Sequence, residues 1–170
     1  MASPERLPVD PILEAHRQWS AHGWDTAADG MAAVTSIMRA QQIMASRVDE
    51  VLRPLGLTFS RYELLMLLHF SRTGSMPVTK ASARLQVHPT SVTNAVDRLE
   101  GAGLVRRLPH PTDGRGTLVE ISEIGRQQAL AATEQLNARV FSAPGLPRRR
   151  LSSLMSALRD LRHAAGDFER

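Results

Sequence analysis

Between Thr79 and Ile121 the hydrophobic pattern of the chain changes from helical to strand period. Val92, Val96 and Leu99 fall at i, i+4 and i+7 with Ala95 beside them, one apolar stripe at helical spacing. At about 100° per residue, Thr90, Asn94, Asp97, Arg98 and Gly101 occupy the opposite arc. Pro89 suits the first turn of this helix, where a missing N–H costs nothing. Gly101 and Gly103 end it, with Gly103 as the left-handed residue. Upstream, Val78, Ala81 and Leu85 predict a short amphipathic helix starting at Val78 or Thr79, and Gln86-Val87-His88 is a short connection. Two short helices this close cross steeply, the geometry of a helix-turn-helix. Downstream the period shortens. Leu104 to Leu108 and Leu118 to Ser122 read as two strands around His110-Pro111-Thr112-Asp113-Gly114-Arg115-Gly116, a stretch dense in turn formers.

Helices flank this unit on both sides. Asp10-Pro11 opens a short one, an N-cap followed by Pro at the first helical position, that runs to about Gly23. A long helix from Thr26 to Leu55 carries Met31, Val34, Ile37, Met38, Met44, Val48, Val51 and Leu52. Ser60-Arg61-Tyr62-Glu63 reads as a capping box ahead of Leu64, Leu65, Leu67 and Leu68. Ser122 is expected to cap a helix reaching about Phe141. After the break at Ala143-Pro144-Gly145-Leu146-Pro147, a last helix holds Leu151, Leu154, Met155, Leu158 and Leu161 at the spacing of helix association. Arg148-Arg149-Arg150 begins that helix against its dipole and reads as a surface patch or a set of salt-bridge donors. The expected fold is mainly α with a small β wing: a winged helix-turn-helix core at 56–122, N-terminal helices at 1–55 and C-terminal helices at 123–170.

The polar arc of the second helix offers hydroxyl, amide and guanidinium groups suited to base edges in a major groove or to phosphate. Such an arc by itself is also what a solvated helix face looks like, and the short helix before it shifts the reading towards DNA. Arg106, Arg107, His110 and Arg115 make the hairpin basic. An Arg on a protruding ribbon can enter a narrow minor groove, and Asp113 is placed to hold Arg115 in a productive rotamer.

Composition trims the alternatives. At 170 residues the chain can bury a real core. Lys80 is the only lysine among 21 basic residues, and the formal charge is +4, which agrees with phosphate binding but discriminates little. The absence of cysteine excludes disulfides, thiolate metal sites and cysteine-based redox sensing. The six histidines form no i, i+4 pair with a nearby acid, so no metal is expected. Gly101-Ala102-Gly103 follows a helix instead of opening one, the wrong context for a phosphate loop. No nucleophile has a base beside it, so neither catalytic residues nor a cofactor are expected, and the chain does not read as an enzyme. No apolar run approaches the about 18 residues of a membrane span and no signal peptide opens the chain, from which a cytoplasmic location is expected.

The run from Val87 to Glu100, then Gly103-Leu104-Val105-Arg106-Arg107, the tip from His110 to Arg115 and the exit Ile121-Ser122-Glu123-Ile124-Gly125-Arg126 resemble the MarR family of bacterial transcription regulators. The resemblance extends from about Ala32 to Val140. It implies a homodimer, joined through the helices at 1–55 and 123–170, on a pseudo-palindromic double-stranded operator, with recognition helices in successive major grooves and wings in the flanking minor grooves. It also implies repression relieved by a small aromatic or anionic effector. On this reading Ser60, Arg61 and Lys80 bind phosphates and Pro89 starts the reading helix. Thr90, Ser91, Thr93 and Asn94 face base edges, with Asn94 able to bridge an adenine. Arg98 meets a phosphate, and Arg115, held by Asp113, enters the minor groove.

The N-terminal helix resembles the extra helix of the family's urate-responsive subgroup, where a Trp helps line a ligand pocket; Trp19 and Trp24 stand there. That subgroup's acidic pocket residue aligns with Glu63, but its recognition-helix Arg aligns with Ala95, which removes the cation a urate-type anion needs. A looser effector set of Trp19, Met38, Glu63, Met66, His69 and Phe70 remains, each equally readable as core packing. The competing function is a winged-helix protein-interaction module without specific DNA readout. It would show apolar residues on the outer arc of the second helix, where this chain has Thr90, Ser91, Asn94 and Arg98.

Overall fold

The computed structural model describes residues 7–109 and 116–169. The tip residues His110, Asp113 and Arg115 lie outside the described residues. The chain divides into two compact units, residues 1–50 and 51–170.

The first unit holds helix α1 (Pro11–Ala21) and most of helix α2 (Asp25–Leu52). Asp10 caps α1 by accepting from the Ile12 N–H at 2.9 Å, with Pro at the first helical position. Ala28 and Val48 are the buried apolar residues described in this unit, while Val34, Ile37, Met38 and Ile43 are exposed along α2.

The second unit carries the core. The long helix ends in a 3₁₀ turn, Arg53–Leu55, closed by Gly56 in the left-handed region at φ 68°. Helix α3 (Phe59–His69) follows, then strand β1 (Ser75–Pro77), helix α4 (Val78–Leu85), helix α5 (Pro89–Gly101), strands β2 (Val105–Pro109) and β3 (Thr117–Ile121), helix α6 (Glu123–Leu136) and helix α7 (Arg148–Ala164). A π-helical turn, Asn137–Phe141, continues α6. The sheet is antiparallel in the order β1-β3-β2, pairing Met76 with Val119 and Arg107 with Val119 on the two sides of the central strand. β1 is an addition to the expected hairpin: three residues are too few to show a period, and its existence depends on the partner strand.

The core forms where the leucines of α3 meet the stripe of α5. Leu64, Leu65, Leu68, Val92, Val96, Leu99, Val119 and Leu136 are all buried. Each such side chain contributes about 1.5–3 kcal/mol when removed from water. The cap of α3 differs from the expected one. Thr58 occupies the N-cap and accepts from the Arg61 N–H at 3.4 Å, so Ser60 sits inside the first turn and is not the cap. Ser122 does cap α6: its Oγ accepts from the Gly125 N–H at 3.0 Å and donates to the Gly103 carbonyl at 2.7 Å. Gly125 is buried so closely against the start of β2 that an added Cβ would lie 2.0 Å from the Leu104 carbonyl oxygen.

No residue of α7 is buried. Leu154, Met155 and Leu161 are exposed. Beyond its end, Asp167 pairs with Arg162 at 2.5 Å and its carbonyl accepts from the Gln86 side chain at 2.6 Å. Among the described residues no helix is long and apolar enough to cross a membrane.

Candidate nucleic-acid interface

The turn between α4 and α5 is built by two devices. Gln86 takes the left-handed conformation at φ 54°, the one non-glycine described there. Ser82, buried, donates its hydroxyl to the Val87 carbonyl at 2.6 Å, and the Val87 N–H donates back to the Ser82 carbonyl. A buried hydroxyl without a partner would be costly; here it locks the chain reversal. His88 then caps α5, its Nδ1 accepting from the Thr90 N–H at 3.3 Å, with Pro89 at the first helical position. A histidine cap gives no conventional sequence signal, and only Pro89 pointed to the boundary.

With Val92, Val96 and Leu99 buried, α5 turns its opposite arc to solvent, and Thr90, Ser91, Thr93, Asn94, Asp97 and Arg98 are all exposed. The N-terminal turn of α3 lies alongside. Ser60 and Arg61 share one open groove of about 400 Å³ with Ser91, Asn94 and Arg98. The groove thus joins a helix start, whose free N–H groups and dipole favour anions, to side chains that can read base edges. Arg61 is steadied by donation from its Nε to Thr58 Oγ1 at 3.1 Å. Arg98 has no ion-pair partner among the described residues. Thr93 donates its hydroxyl to the Pro89 carbonyl at 3.1 Å, which leaves its methyl and a lone pair outward. Pro89, Thr90, Thr93 and Lys80 are exposed outside the groove lining.

The stem of the wing is less basic than its composition. Arg106 pairs with Glu120 across the strands. Arg107 reaches back to α5, donating from Nη2 to Asp97 Oδ1 at 2.5 Å and from Nη1 to Glu100, while its backbone N–H donates to Glu100 Oε1 at 2.9 Å. Burial works against the Arg107 charge, but the hydrogen bonds it donates to Asp97 and Glu100 outweigh it and hold its pKa above the ordinary arginine range.

Of the expected effector set, Trp19 lies on α1, Met38 on α2, Glu63, Met66 and His69 on α3, and Phe70 at the C-terminal end of α3. Trp19 packs edge-on against Trp24 with ring centroids 5.3 Å apart. Met38 is exposed on α2. Met66 accepts from Thr133 Oγ1 at 3.3 Å, His69 bonds Arg126 at 3.1 Å, and Phe70 is 75% exposed. Glu63 borders a separate cavity of about 60 Å³ with Leu85, Val87 and Ser91. That is room for roughly two waters and far below the ~300 Å³ or more of a typical small-molecule site. Although Glu63 is exposed as a residue, desolvation of its carboxyl raises its pKa above the ordinary range. Among the described residues no group of three or more His, Cys, Asp or Glu is arranged to hold a metal.

Comparison with known proteins matches this architecture. Residues 57–117 fit the model of the MarR family. Sco5413, a MarR family transcriptional regulator from Streptomyces coelicolor, superposes with a TM-score of 0.76 at 50% identity, over 84% of this chain and 99% of that one. An uncharacterised HTH-type transcriptional regulator of Mycobacterium bovis is 31% identical over 106 residues, which span 62% of this chain and 69% of that protein. Sco3205, a MarR family regulator of Streptomyces coelicolor solved in complex with DNA, shares the fold with a TM-score of 0.71 at 23% identity, covering 81% of this chain and 88% of that one. On this similarity in sequence and fold, this chain belongs to the MarR family of winged helix-turn-helix transcription regulators.

Proposed function

We propose that the chain works as a homodimer that binds a pseudo-palindromic double-stranded operator and represses until a small aromatic or anionic effector releases it. It acts by binding and has no catalytic role. The observation that carries the DNA reading is the shared groove of Ser60 and Arg61 with Ser91, Asn94 and Arg98. It sets phosphate-binding groups beside base-reading ones, the division of labour that duplex recognition requires. Ser60, Arg61 and Lys80 hold phosphates and Arg98 a further one. Thr90, Ser91 and Asn94 meet base edges, with Thr93 offering its methyl to a thymine. The exposed apolar residues of α2 and α7 support the dimer, since helices with so little buried surface of their own need a partner chain. The effector reading follows the family and proposes a class of molecule.

Fluorescence anisotropy against the chain's own upstream DNA and a shuffled duplex, at two salt concentrations, tests the proposal. Tighter cognate binding with a steep salt slope is expected. Arg61→Ala should weaken both duplexes alike and lower the salt slope by about 1. Asn94→Ala should cost about 1–3 kcal/mol on the cognate site and relax base preference. Equal, salt-insensitive binding to every duplex, from upstream DNA to a random pool, would overturn the reading.

A further inference from the structure

Beside the groove residues α5 carries two acids, Asp97 on its exposed arc and Glu100 on the half-buried flank. Asp97 borders an open concavity with Asn94 and Arg98, and its side chain is 56% exposed. Glu100 follows one turn later with its side chain 38% exposed. A helix that lies against a polyanion gains nothing from bare carboxylates, because like charges set face to face raise the free energy of the complex. Both acids are met by the same cation. Arg107, on β2, spreads its planar fork across them, one nitrogen to each carboxylate, and its backbone N–H takes the second oxygen of Glu100. Its side chain is only 29% exposed, and both of its terminal nitrogens are engaged by carboxylates. Arg98, the neighbour of Asp97 on the same helix, pairs with neither acid.

We infer that Arg107 serves DNA binding without touching DNA: it masks the charge of Asp97 and Glu100 on the helix that faces the duplex. Arginine suits the role, since its guanidinium stays charged at any working pH and its fork spans two acids at once. Lysine offers a single point charge. The inference rests on the DNA reading above and assigns Arg107 a part within it that differs from the phosphate contact suggested by its place in a basic wing.

The test compares Arg107→Ala, the triple variant Arg107→Ala with Asp97→Asn and Glu100→Gln, and the double variant Asp97→Asn with Glu100→Gln, all by anisotropy on one operator duplex selected with the native protein. Masking predicts that Arg107→Ala weakens binding about tenfold, that the triple variant returns to within about threefold of native, and that the double variant binds as tightly as native or tighter. A triple variant as weak as Arg107→Ala would overturn the inference, because a phosphate contact or a purely structural clamp is not restored by neutralising the acids. Native affinity in Arg107→Ala would overturn it equally. Thermal unfolding accompanies each protein. Should Arg107→Ala not fold, the double variant still decides, since a tenfold loss there would show that the acids aid binding and need no mask. Failure of the native protein to select any duplex would count against the DNA reading itself, a different result from any ordering of these variants.

Discussion

Gly125→Ala asks how tightly α6 is seated on the turn into β2. The new methyl would stand 2.0 Å from the Leu104 carbonyl oxygen, 2.8 Å from its carbon and 3.1 Å from Ile121 Cγ1. An ordinary C···O approach is about 3.3 Å, so the two backbones must separate by roughly 1.3 Å. The side that would have to move is fixed. Leu104 is 4% exposed, and its carbonyl accepts from the Ser122 N–H at 3.0 Å. Opening the seam gives up that hydrogen bond, worth about 1 kcal/mol net, and overpacks a filled site at a cost of about 1–3 kcal/mol. Alanine returns at most about 1 kcal/mol of helix propensity. The expected balance is a loss of about 1–3 kcal/mol, which for a chain of this size lowers the thermal midpoint by several degrees, at roughly 2–4 °C per kcal/mol. Far-UV circular dichroism against temperature reads it directly. Gly101→Ala is the control: a Cβ there meets nothing within 4 Å, and a gain of a few tenths of a kcal/mol is expected. A Gly125→Ala protein as stable as native would refute the close-seating account.

Two further outcomes follow from the local chemistry. Thr58→Ala should cost about 0.5–2 kcal/mol in urea unfolding by uncapping α3, whereas Ser60→Ala should leave stability within about 0.5 kcal/mol; the reverse order would return the cap to Ser60. Glu63 has a carboxyl pKa raised by desolvation, so the unfolded chain releases its proton at lower pH than the folded one. Stability attributable to this group is therefore highest below the ordinary carboxylate range and falls as pH rises through the folded pKa. Glu63→Gln should raise the thermal midpoint at neutral pH and leave it unchanged in acid, and a midpoint equal to native at both pH values would show that the carboxyl is not strained.

What could be read from the chain alone were the features that repeat. The stripe Val92-Val96-Leu99 and its polar opposite arc are periodic over several turns, and the structure buries one and exposes the other. Proline and glycine marked Pro89 and Gly103 because they act through their own backbone. Features that depend on distant partners were not visible. Thr58 and Ser60 are both hydroxyls near a helix start, and the Ser-x-x-Glu spacing favoured the wrong one. The three residues of β1 become a strand only because β3 passes beside them. The Arg107 clasp joins residues seven and ten positions apart through a turn, and composition counted that arginine as free charge.

The tie between Gln86 and Asp167 has a consequence for how the molecule stores information. The residue that closes the helix-turn-helix bend is held by the backbone just past the last helix, 81 positions along the chain. A displacement of that helix would reach the bend through this one hydrogen bond. Association and operator binding then form a thermodynamic cycle with a shared cross-energy, and reciprocity requires that DNA tighten the assembly by the same factor that assembly tightens DNA. Removing the last few residues would remove this tie and with it whatever cross-energy the tie carries.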